Sequence, residues 1–544
     1  MTPTPDPAPW WQRGTVYQIY PRSFADGSGD GVGDLAGIRA RLDHLVDLGV
    51  DALWISPVFP SPMADFGYDI SDYTDIDPLF GTLDDFDALV ADAHARGLKV
   101  VLDFVPSHTS DRHPWFAESR AARDSPKRDW YTWADPAPGG GPPNNWIGEF
   151  GGPAWTLDEG TGQYWLHLFL PEQPALNWRH PGVRAAMLDV LRFWFERGVD
   201  GFRVDAVLFL VVDERLRDNP ANPRWTAGSS PPRSLLWTHT AHQRETHEAV
   251  RAMRAVADGY APERVLIGEV CASTLDEMMP YYGAALDGFQ MPFNFELMSL
   301  DWGAADIARF VDAYEAALPN GAWPNWVLGN HDVSRVASRV GPERARLAAM
   351  LLLTLRGTPT IYQGEELGLE DARVPPEAVV DPWELRVPGI GLGRDPVRTP
   401  MPWDDGPNAG FTGAHATPWL PIDPAHRAAS VAAQADDPAS TLSLYRRLLA
   451  LRRAEPALAI GDYRTLSTGD GVLVFERTHA GRRLVVVLNL SGEGRDLPAA
   501  AGVAVGRSRV LAGTHDPDPH ASRHAPARLA AHEGLVLEAG APAP

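Results

Sequence analysis

The sequence predicts an α/β barrel of parallel strands, interrupted by an inserted segment and followed by a β-rich C-terminal domain. Helix-like stretches that end at a glycine lead into short apolar strands, which is the pattern of parallel βα repeats. The number of residues between two successive units of this kind doubles at one point in the chain, which indicates an inserted segment. Beyond residue 460 the pattern changes to apolar or alternating runs separated by glycine-containing turns, which is typical of β domains.

The predicted barrel strands recur along the first 362 residues, and five of them end in polar side chains. They are Val16 to Tyr20, Ala52 to Pro57, Val100 to Phe104, Val199 to Val204, Val265 to Gly268, Asn325 to Gly329 and Thr358 to Tyr362. A parallel barrel brings the carboxyl ends of its strands to one rim, so we expect these polar ends to lie together. A doubly wound open sheet is disfavoured, because acids crowd the glycine-rich loop after the first strand and would repel a phosphate.

The spacing of helix-ending glycines locates the insertion. Gly49 and Gly97 are 48 residues apart, whereas Gly97 and Gly198 are 101 residues apart. The surplus residues are rich in Trp, Pro and Gly and poor in helix periodicity. We therefore predict four parts, with a last barrel helix over Thr441 to Arg453: a first part of the barrel (1–108), an inserted domain (109–178), a second part of the barrel (179–460) and a C-terminal β domain (461–544).

The composition excludes several classes of partner. The 544 residues include 71 acidic and 48 basic ones, which gives a formal net charge of −23. Nucleic acids and anionic membranes attract positive surfaces, so we expect neither as a partner, and a neutral substrate is compatible with this charge. The single cysteine, Cys271, excludes a disulfide within the chain. Since no signal peptide and no apolar run of ~20 residues is recognisable, we expect a cytoplasmic protein.

The loop after the first predicted strand has the composition of a cation site. Oxygen-bearing side chains recur at alternate positions in Asp26, Ser28 and Asp30 and again at Asp34, with glycines between them that allow a tight wrap. Carboxylate, hydroxyl and carbonyl oxygens are the ligands that Ca²⁺ prefers. The alternative is a glycine-rich turn with solvated acids.

The segment Gly201 to Ala206 carries the clearest chemical signal. Its strand ends in Arg203 and Asp205, which lie on the same strand face, and a buried carboxylate needs a partner. We expect the arginine to lower the pKa of Asp205 and to keep it ionised as a nucleophile. The alternative is a salt bridge that only closes a barrel. Carboxylates at the C-terminal ends of barrel strands are usually catalytic, which favours the first interpretation.

The strand ends together offer a set of acids and bases. They are Asp103, His108, Arg203, Asp205, Glu269, His331 and Asp332. A metal site, a phosphate site and an acid/base site are all compatible with such a set, although a dinuclear metal site usually needs more histidines or bridging acids. Glycoside hydrolysis needs a nucleophilic carboxylate and a proton donor. Asp205 suits the first role, and Glu269, which ends an apolar strand near other acids, suits the second.

Several segments resemble, in order and spacing, the signature segments of the α-amylase family of glycoside hydrolases. They are Asp103 to His108, Gly201 to Ala206, Gly268 to Val270 and Asn330 to Asp332, with further matches at Ala52 to Pro57, Gln173 to Trp178 and Gly357 to Gly364. Gly67 to Tyr73 and Arg398 to Met401 resemble its α-glucosidase and oligo-1,6-glucosidase branch. The resemblance implies a (β/α)₈ TIM barrel with an inserted irregular B domain after strand 3 and a C-terminal antiparallel β domain.

The resemblance also implies the roles of the matched residues. Asp205 would be the nucleophile, Glu269 the acid/base and Asp332 the residue that holds the sugar hydroxyls near the transition state. The substrate-binding residues would be Tyr68, Asp69, His108, Phe150, Phe169, Arg203, His331 and Arg394. Asp69 is expected to pair with Arg394, or with Arg398 as second choice, and so to close the pocket around one terminal glucose. The cation loop of the branch matches Asp26, Ser28, Asp30, the carbonyl of Val32, and Asp34, which implies a structural Ca²⁺ and no organic cofactor.

The resemblance implies a retaining, exo-acting α-glucosidase that acts on short α-glucosides and is also able to transfer glucose. In this branch valine at the position of Ala206 accompanies α-1,6 cleavage, whereas alanine or threonine accompanies α-1,4 cleavage, so maltose and malto-oligosaccharides are the expected substrates. The alternatives are a trehalose synthase, a sucrose-cleaving enzyme, another transglycosylating member and an inactive binding relative. Ser107 and Ala175 depart from the usual asparagine and aspartate, but the set of catalytic acids is complete.

Overall fold

Eight parallel strands form the barrel in a computed structural model that describes residues 8–515 and 523–539. We number them β1 to β8 in chain order: Val16–Ile19, Ala52–Ile55, Lys99–Phe104, Gly201–Val204, Val265–Gly268, Phe293–Asn294, Asn325–Val327 and Thr358–Tyr362. The strands pair in the order β5, β4, β3, β2, β1, β8, β7, β6. The ring closes beside β5, because the Gly268 N–H donates to Met291 O (3.3 Å) and the Met291 N–H donates to Leu266 O (3.4 Å). The predicted TIM barrel is confirmed.

Helices before, between and after the strands surround the barrel. The longer ones are Leu35–Ala40, Leu42–Leu48, Leu83–Ala95, Pro181–Glu196, Arg244–Ala257, Ala304–Ala317, Pro342–Thr354 and Thr441–Ala454. Shorter helices are Trp10–Arg13, Pro21–Phe24, Leu275–Met278, Glu296–Ser299, Val336–Val340, Pro382–Arg386, Asp395–Arg398, Pro424–Ala428, Val431–Ala435 and Pro456–Ala459. Gly49 and Gly198 follow their helices with φ angles of 97° and 98°, which is the left-handed conformation that glycine adopts without strain.

The sixth strand, β6, was not predicted from the sequence. It consists only of Phe293–Asn294 and pairs with β7 through two residues. A two-residue strand leaves no periodic signal, because it takes at least four residues to distinguish an alternating pattern from chance. The barrel neighbours therefore define this strand, and its own sequence does not.

The insertion between β3 and β4 is less irregular than predicted. It contains the helix Pro114–Ala121 and a three-stranded antiparallel sheet, formed by Trp133–Ala134, Trp155–Asp158 and Gln163–Leu166. Phe116 packs against the rings of Tyr131, Trp133 and Trp165 at centroid distances of 5.0, 5.8 and 5.7 Å. The abundant tryptophans of this segment therefore build a small core of their own.

The C-terminal part forms a five-stranded antiparallel sheet, as the sequence pattern predicts. Its strands, in spatial order, are Asp462–Ser467, Val472–His479, Arg482–Asn489, Gly534–Glu538 and Val510–Gly513, and a separate pair joins Arg495–Asp496 to Arg528–Leu529. The buried Arg477 fixes this sheet to the barrel, since it donates to Thr354 O (2.6 Å) and Gly461 O (2.8 Å). In the ranges that the structure describes, no helix has both the length and the apolar character that a transmembrane span requires.

Candidate active site

The carboxyl ends of the barrel strands surround one cavity of about 310 Å³, which we call the active-site pocket. Most of the predicted site residues line it: Tyr68, His108, Phe150, Phe169, Asp205, Glu269, His331, Asp332 and Arg394. Arg203 lies beneath this lining, and Asp69 is outside it. The barrel therefore gathers residues that are up to 326 positions apart in the sequence, from Tyr68 to Arg394.

Arg203, which is only 1% exposed, connects three acids below the pocket. Its Nη1 lies 2.8 Å from Asp103 Oδ1 and 2.6 Å from Asp205 Oδ1, and its Nη2 lies 2.8 Å from Glu269 Oε1. The two candidate catalytic carboxylates are thus held by one guanidinium, whose planar fork fixes their relative position. Arg203 positions these acids and does not itself face the pocket.

The predicted direction of the pKa shift of Asp205 is wrong. Burial raises the pKa of Asp205 well above its ordinary value, and the neighbouring acids Glu269, Asp103 and Asp332 add to this effect, although Arg203 opposes it. The physical reason is that three acids share one cation, so the positive charge does not offset the desolvation of each. Burial likewise raises the pKa of Asp103 to about 6.

The turn after β4 connects the two candidate catalytic acids through the backbone. Ala206, directly after Asp205, has φ 44° and ψ 37°, a left-handed conformation that is uncommon for residues with a Cβ. In this conformation its N–H donates to Glu269 Oε2 at 2.7 Å. The side chain of Ala206 lines the pocket together with both acids.

Asp332 is held by two arginines and a histidine. Arg398 Nη2 lies 2.7 Å and Arg394 Nη1 lies 3.2 Å from Asp332 Oδ1, and His331 Nε2 lies 3.3 Å from Oδ2. Burial raises the pKa of Asp332, but His331, Arg398 and Arg394 together hold it below its ordinary value, so the carboxylate stays ionised. Burial also lowers the pKa of His331 well below its ordinary value. Because Gln18 Nε2 donates to His331 Nδ1 (2.8 Å), the neutral ring carries its proton on Nε2, facing Asp332.

Arg394 closes one end of the pocket, but its partner is not the predicted one. Its Nη2 donates to Asp65 Oδ1 (2.8 Å) and to Asp381 Oδ1 (2.7 Å). The Asp69 carboxylate instead accepts the backbone N–H groups of Ala64 and Asp65, each at 2.9 Å. The predicted pairing of Asp69 with Arg394 is therefore wrong: Asp69 stabilises the turn that presents Asp65 to the arginine. Only the geometry of this turn shows that Asp65, and not Asp69, is the partner of Arg394.

His108 and Tyr68 form part of the pocket wall through contacts with the protein. His108 Nε2 lies 3.0 Å from Tyr68 O, and His108 Nδ1 lies 2.8 Å from Ser107 Oγ. Burial lowers the pKa of His108 to about 4, so its ring is neutral. Tyr68 donates through its hydroxyl to Asp103 (3.0 Å) and stacks on His331 with a centroid distance of 5.3 Å. Phe150 and Phe169 add apolar lining from the inserted segment.

Sequence reasoning missed further residues of the pocket and its support. They are Asp65, Glu149, Gln173, Arg233 and Trp237 in the lining, and Gln18, Trp54 and Asp381 behind it. Asp65 carried a signal, as an acid close to Tyr68 in the sequence. Asp381 and Arg233 belong to long loops without periodicity, so only the folded chain brings them to the site.

The predicted cation loop is tightly hydrogen-bonded. Asp34 caps the following helix, with its Oδ1 accepting from the Gly37 N–H (2.7 Å), and Asp26 accepts from the N–H groups of Gly29 (2.6 Å) and Gly31 (2.7 Å). The oxygen-only donor set fits a hard cation in its chemistry. However, within residues 8–515 and 523–539 no three His, Cys, Asp or Glu side chains are grouped as metal ligands. The Ca²⁺ prediction remains a prediction.

The chain is similar to known proteins over most of its length. Residues 18–461 match the family model of the α-amylase catalytic domain. A probable α-glucosidase from Rhizobium meliloti is 47% identical over 505 residues, which cover 90% of this chain and 91% of the relative. An oligo-1,6-glucosidase from Parageobacillus thermoglucosidasius is 38% identical over 521 residues, which cover 89% and 90%.

Solved structures agree with this likeness. The α-glucosyl transfer enzyme XgtA superposes with a TM-score of 0.90 at 44% identity, covering 97% of this chain and 99% of that one. The trehalulose synthase MutB from Pseudomonas mesoacidophila gives a TM-score of 0.86 at 32% identity, covering 98% and 100%. Together with the barrel and its paired carboxylates, these matches show that the chain belongs to the α-amylase family of glycoside hydrolases.

Proposed function

We propose that the chain is a retaining, exo-acting α-glucosidase that releases terminal glucose from short α-glucosides. The observation that carries the proposal is the pocket itself, in which Asp205 and Glu269 share Arg203 while Arg394 closes the opposite end with Asp65 and Asp381. Relatives named α-glucosidase, oligo-1,6-glucosidase and maltase support the same activity.

The proposed reaction has two displacement steps. In the first, the ionised form of Asp205, which Arg203 stabilises, attacks the anomeric carbon while Glu269 gives a proton to the leaving glycosidic oxygen, and a glucosyl ester forms on Asp205. In the second, Glu269 removes a proton from water, which attacks the ester and releases glucose. Because each step inverts the anomeric carbon, the α-configuration is retained. The ionised Asp332 accepts hydrogen bonds from the sugar hydroxyls throughout.

The closed end of the pocket supports the exo mode of attack. Arg394, with its carboxylate partners Asp65 and Asp381, fills the space beyond the terminal sugar with buried charge. A chain that continued in this direction would separate these ion pairs, and breaking buried pairs is strongly unfavourable. Only a non-reducing end therefore fits, and one glucose is released at a time.

Glucosyl transfer is the second activity that we propose. The glucosyl ester on Asp205 would react with a sugar hydroxyl when an acceptor sugar takes the place of water. XgtA, a glucosyl transfer enzyme by its name, has a similar fold over nearly the whole chain. We propose α-1,4 linkages as the preferred substrates, since the small side chain of Ala206 leaves room beside the scissile bond.

We further propose that the loop of residues 26–34 binds a structural Ca²⁺ ion. Asp26, Ser28, Asp30, Asp34 and the carbonyl of Val32 supply the oxygen ligands that this cation prefers. None of these residues lines the active-site pocket, so the ion would stabilise the fold and would take no part in the chemistry.

The lone cysteine, which has no disulfide partner in the chain, supports action in the reducing cytoplasm.

Replacement of the nucleophile tests the proposed function. Asp205→Asn removes the attacking carboxylate, so glucose release from maltose should fall by at least ~10³-fold, because a covalent step needs its nucleophile. Proton NMR of the wild type should show α-glucose first. Asp213→Asn is the matched control, since Asp213 pairs with Arg217 outside the pocket. Initial β-glucose, or an active Asp205→Asn variant, would refute the assignment.

A further inference from the structure

A second cavity of about 520 Å³ adjoins the active-site pocket. Four residues line both spaces: Arg233, Cys271, Phe295 and Ser299. Much of the remaining wall comes from the segment directly after Glu269, from Val270 to Leu275. The second cavity therefore opens beside the candidate acid/base, away from the end that Arg394 closes.

This position makes the second cavity the space for the group beyond the scissile bond. The terminal glucose occupies the closed end, and the proton of Glu269 goes to the glycosidic oxygen on the other side. A leaving sugar departs through the open side, and an acceptor sugar arrives through it. The residues at the junction of the two cavities are thus placed to discriminate between leaving groups.

Two ionisable groups of opposite charge line the active-site pocket near this junction. Glu149 comes from the inserted domain and lines the active-site pocket, whereas Arg233 comes from the long loop after β4 and lines both cavities. Burial raises the pKa of Glu149 to about 7, and the charge of Arg233 opposes this shift. The Arg233 guanidinium stacks 3.9 Å from the ring centroid of Trp237. Across the ranges 8–515 and 523–539, neither the Glu149 carboxylate nor the Arg233 guanidinium has a hydrogen bond or an ion-pair contact.

The chemistry of this pair matches a sugar. A pyranose hydroxyl both donates and accepts hydrogen bonds, a carboxylate accepts them and a guanidinium donates them. Hydrogen bonds to charged groups are about twice as strong as neutral ones, so two such groups orient a ring firmly. Phe295, which lines both cavities, adds apolar surface.

We propose that Glu149 and Arg233 bind the hydroxyls of the second sugar, which leaves in hydrolysis and attacks in transfer. The proposal rests on the proposed function and adds the residues that select the leaving group and the acceptor. The proposal predicts that Glu149 and Arg233 let the enzyme distinguish a sugar leaving group from an aryl leaving group.

The test compares two substrates that share the terminal glucose, maltose and p-nitrophenyl α-glucoside. Glu149→Gln and Arg233→Met should each raise KM for maltose about tenfold, the size of one lost charged hydrogen bond, and raise KM for the aryl glucoside by a clearly smaller factor. Transfer products at high maltose should decrease relative to free glucose. Arg233→Lys, which keeps the charge, should restore part of the maltose affinity. Arg224→Met is the matched control, because Arg224 is exposed on the same loop and lines neither cavity.

The outcomes separate this inference from the function on which it rests. A wild type that releases glucose from neither substrate overturns both. A wild type that cleaves both substrates, with variants whose KM changes by the same factor for each, overturns only the acceptor role. If the melting temperature of a variant equals that of the wild type within experimental error, a selective effect on its KM comes from binding and not from misfolding.

Discussion

At the scale of single residues, Arg203 shows how one side chain organises the chemistry. Its position two residues before Asp205 made their contact predictable, because alternate residues of a strand share a face. Its contacts with Asp103 and Glu269 come from neighbouring strands. Burial, together with these acids, raises the pKa of Asp205, whereas Arg203 alone would lower it. The charge balance of a site therefore depends on every group that shares the cation.

Ala206 combines a strained backbone conformation with a proposed role in linkage specificity. Ala206→Val should reduce the ratio of kcat/KM for maltose to kcat/KM for isomaltose, because a branched side chain fills space beside the scissile bond. Steric differences of this size change specificity by ~1–3 kcal/mol. The same change should lower the melting temperature, since a β-branched residue is strained at φ 44°. Steady-state kinetics on both sugars and thermal unfolding check the two effects.

Ala206→Ser is the control for this prediction. Serine adds one atom without branching at Cβ, so it should keep the maltose preference and most of the stability. A wild type that prefers isomaltose, or a valine variant that loses both activities equally, would show that position 206 does not set the linkage.

At the scale of elements, the loop after β1 is a separate unit with its own stabilising contacts. Asp26 and Asp34 already accept several backbone N–H groups, and Thr412 also donates to Asp26. These bonds preorganise the loop, whether or not a cation is bound. The contribution of a cation would add to them, since it binds the folded loop and not the unfolded chain.

Removal of the cation tests this element. Excess chelator should lower the melting temperature, because a ligand present at 100 times its Kd stabilises the folded state by ~2.7 kcal/mol. Asp26→Ala should abolish the response to added Ca²⁺. Asp124→Ala, an exposed acid of the insertion, should retain the response. A melting temperature that is independent of chelator, with no metal found by elemental analysis, would support the solvated-turn alternative.

At the scale of the whole molecule, the buried Arg452 joins the barrel to the helix that leads into the C-terminal sheet. Arg452, on the helix Thr441–Ala454, donates to five backbone carbonyls, those of Leu353, Leu355, Gly357, Leu458 and Ala459. These carbonyls belong to the end of one barrel helix, the approach to β8 and the helix before the C-terminal sheet. One side chain therefore satisfies the polar groups of three segments that meet in the interior.

Replacement of this arginine should destabilise the molecule without changing the pocket. Arg452→Met leaves the carbonyls unpaired, and each buried unsatisfied group costs ~1–3 kcal/mol, so we expect a loss of at least ~3 kcal/mol in the free energy of unfolding. Chemical unfolding measures it. Arg427→Met, at an exposed position of the helix Pro424–Ala428, should change stability by less than ~0.5 kcal/mol. An equal loss in both variants would contradict the linking role of Arg452.

The sequence alone determined the features that depend on neighbours in the chain. The glycine-ended helices, seven of the eight strands and the antiparallel C-terminal sheet follow from local periodicity and turn chemistry. The motif segments indicated the family, which the family model and the relatives confirm.

The tertiary structure decided the features that depend on contacts between distant segments. It selected Asp65 over Asp69 as the partner of Arg394, because a turn of backbone hydrogen bonds engages Asp69. It raised the pKa of Asp205 through burial and through acids on neighbouring strands. It also brought Glu149 and Arg233 from two separate loops into the lining of one pocket. Sequence periodicity indicates which face of a helix or strand is buried, but it does not indicate which segment covers that face. The segments that cover each other determine which charged groups meet in the site.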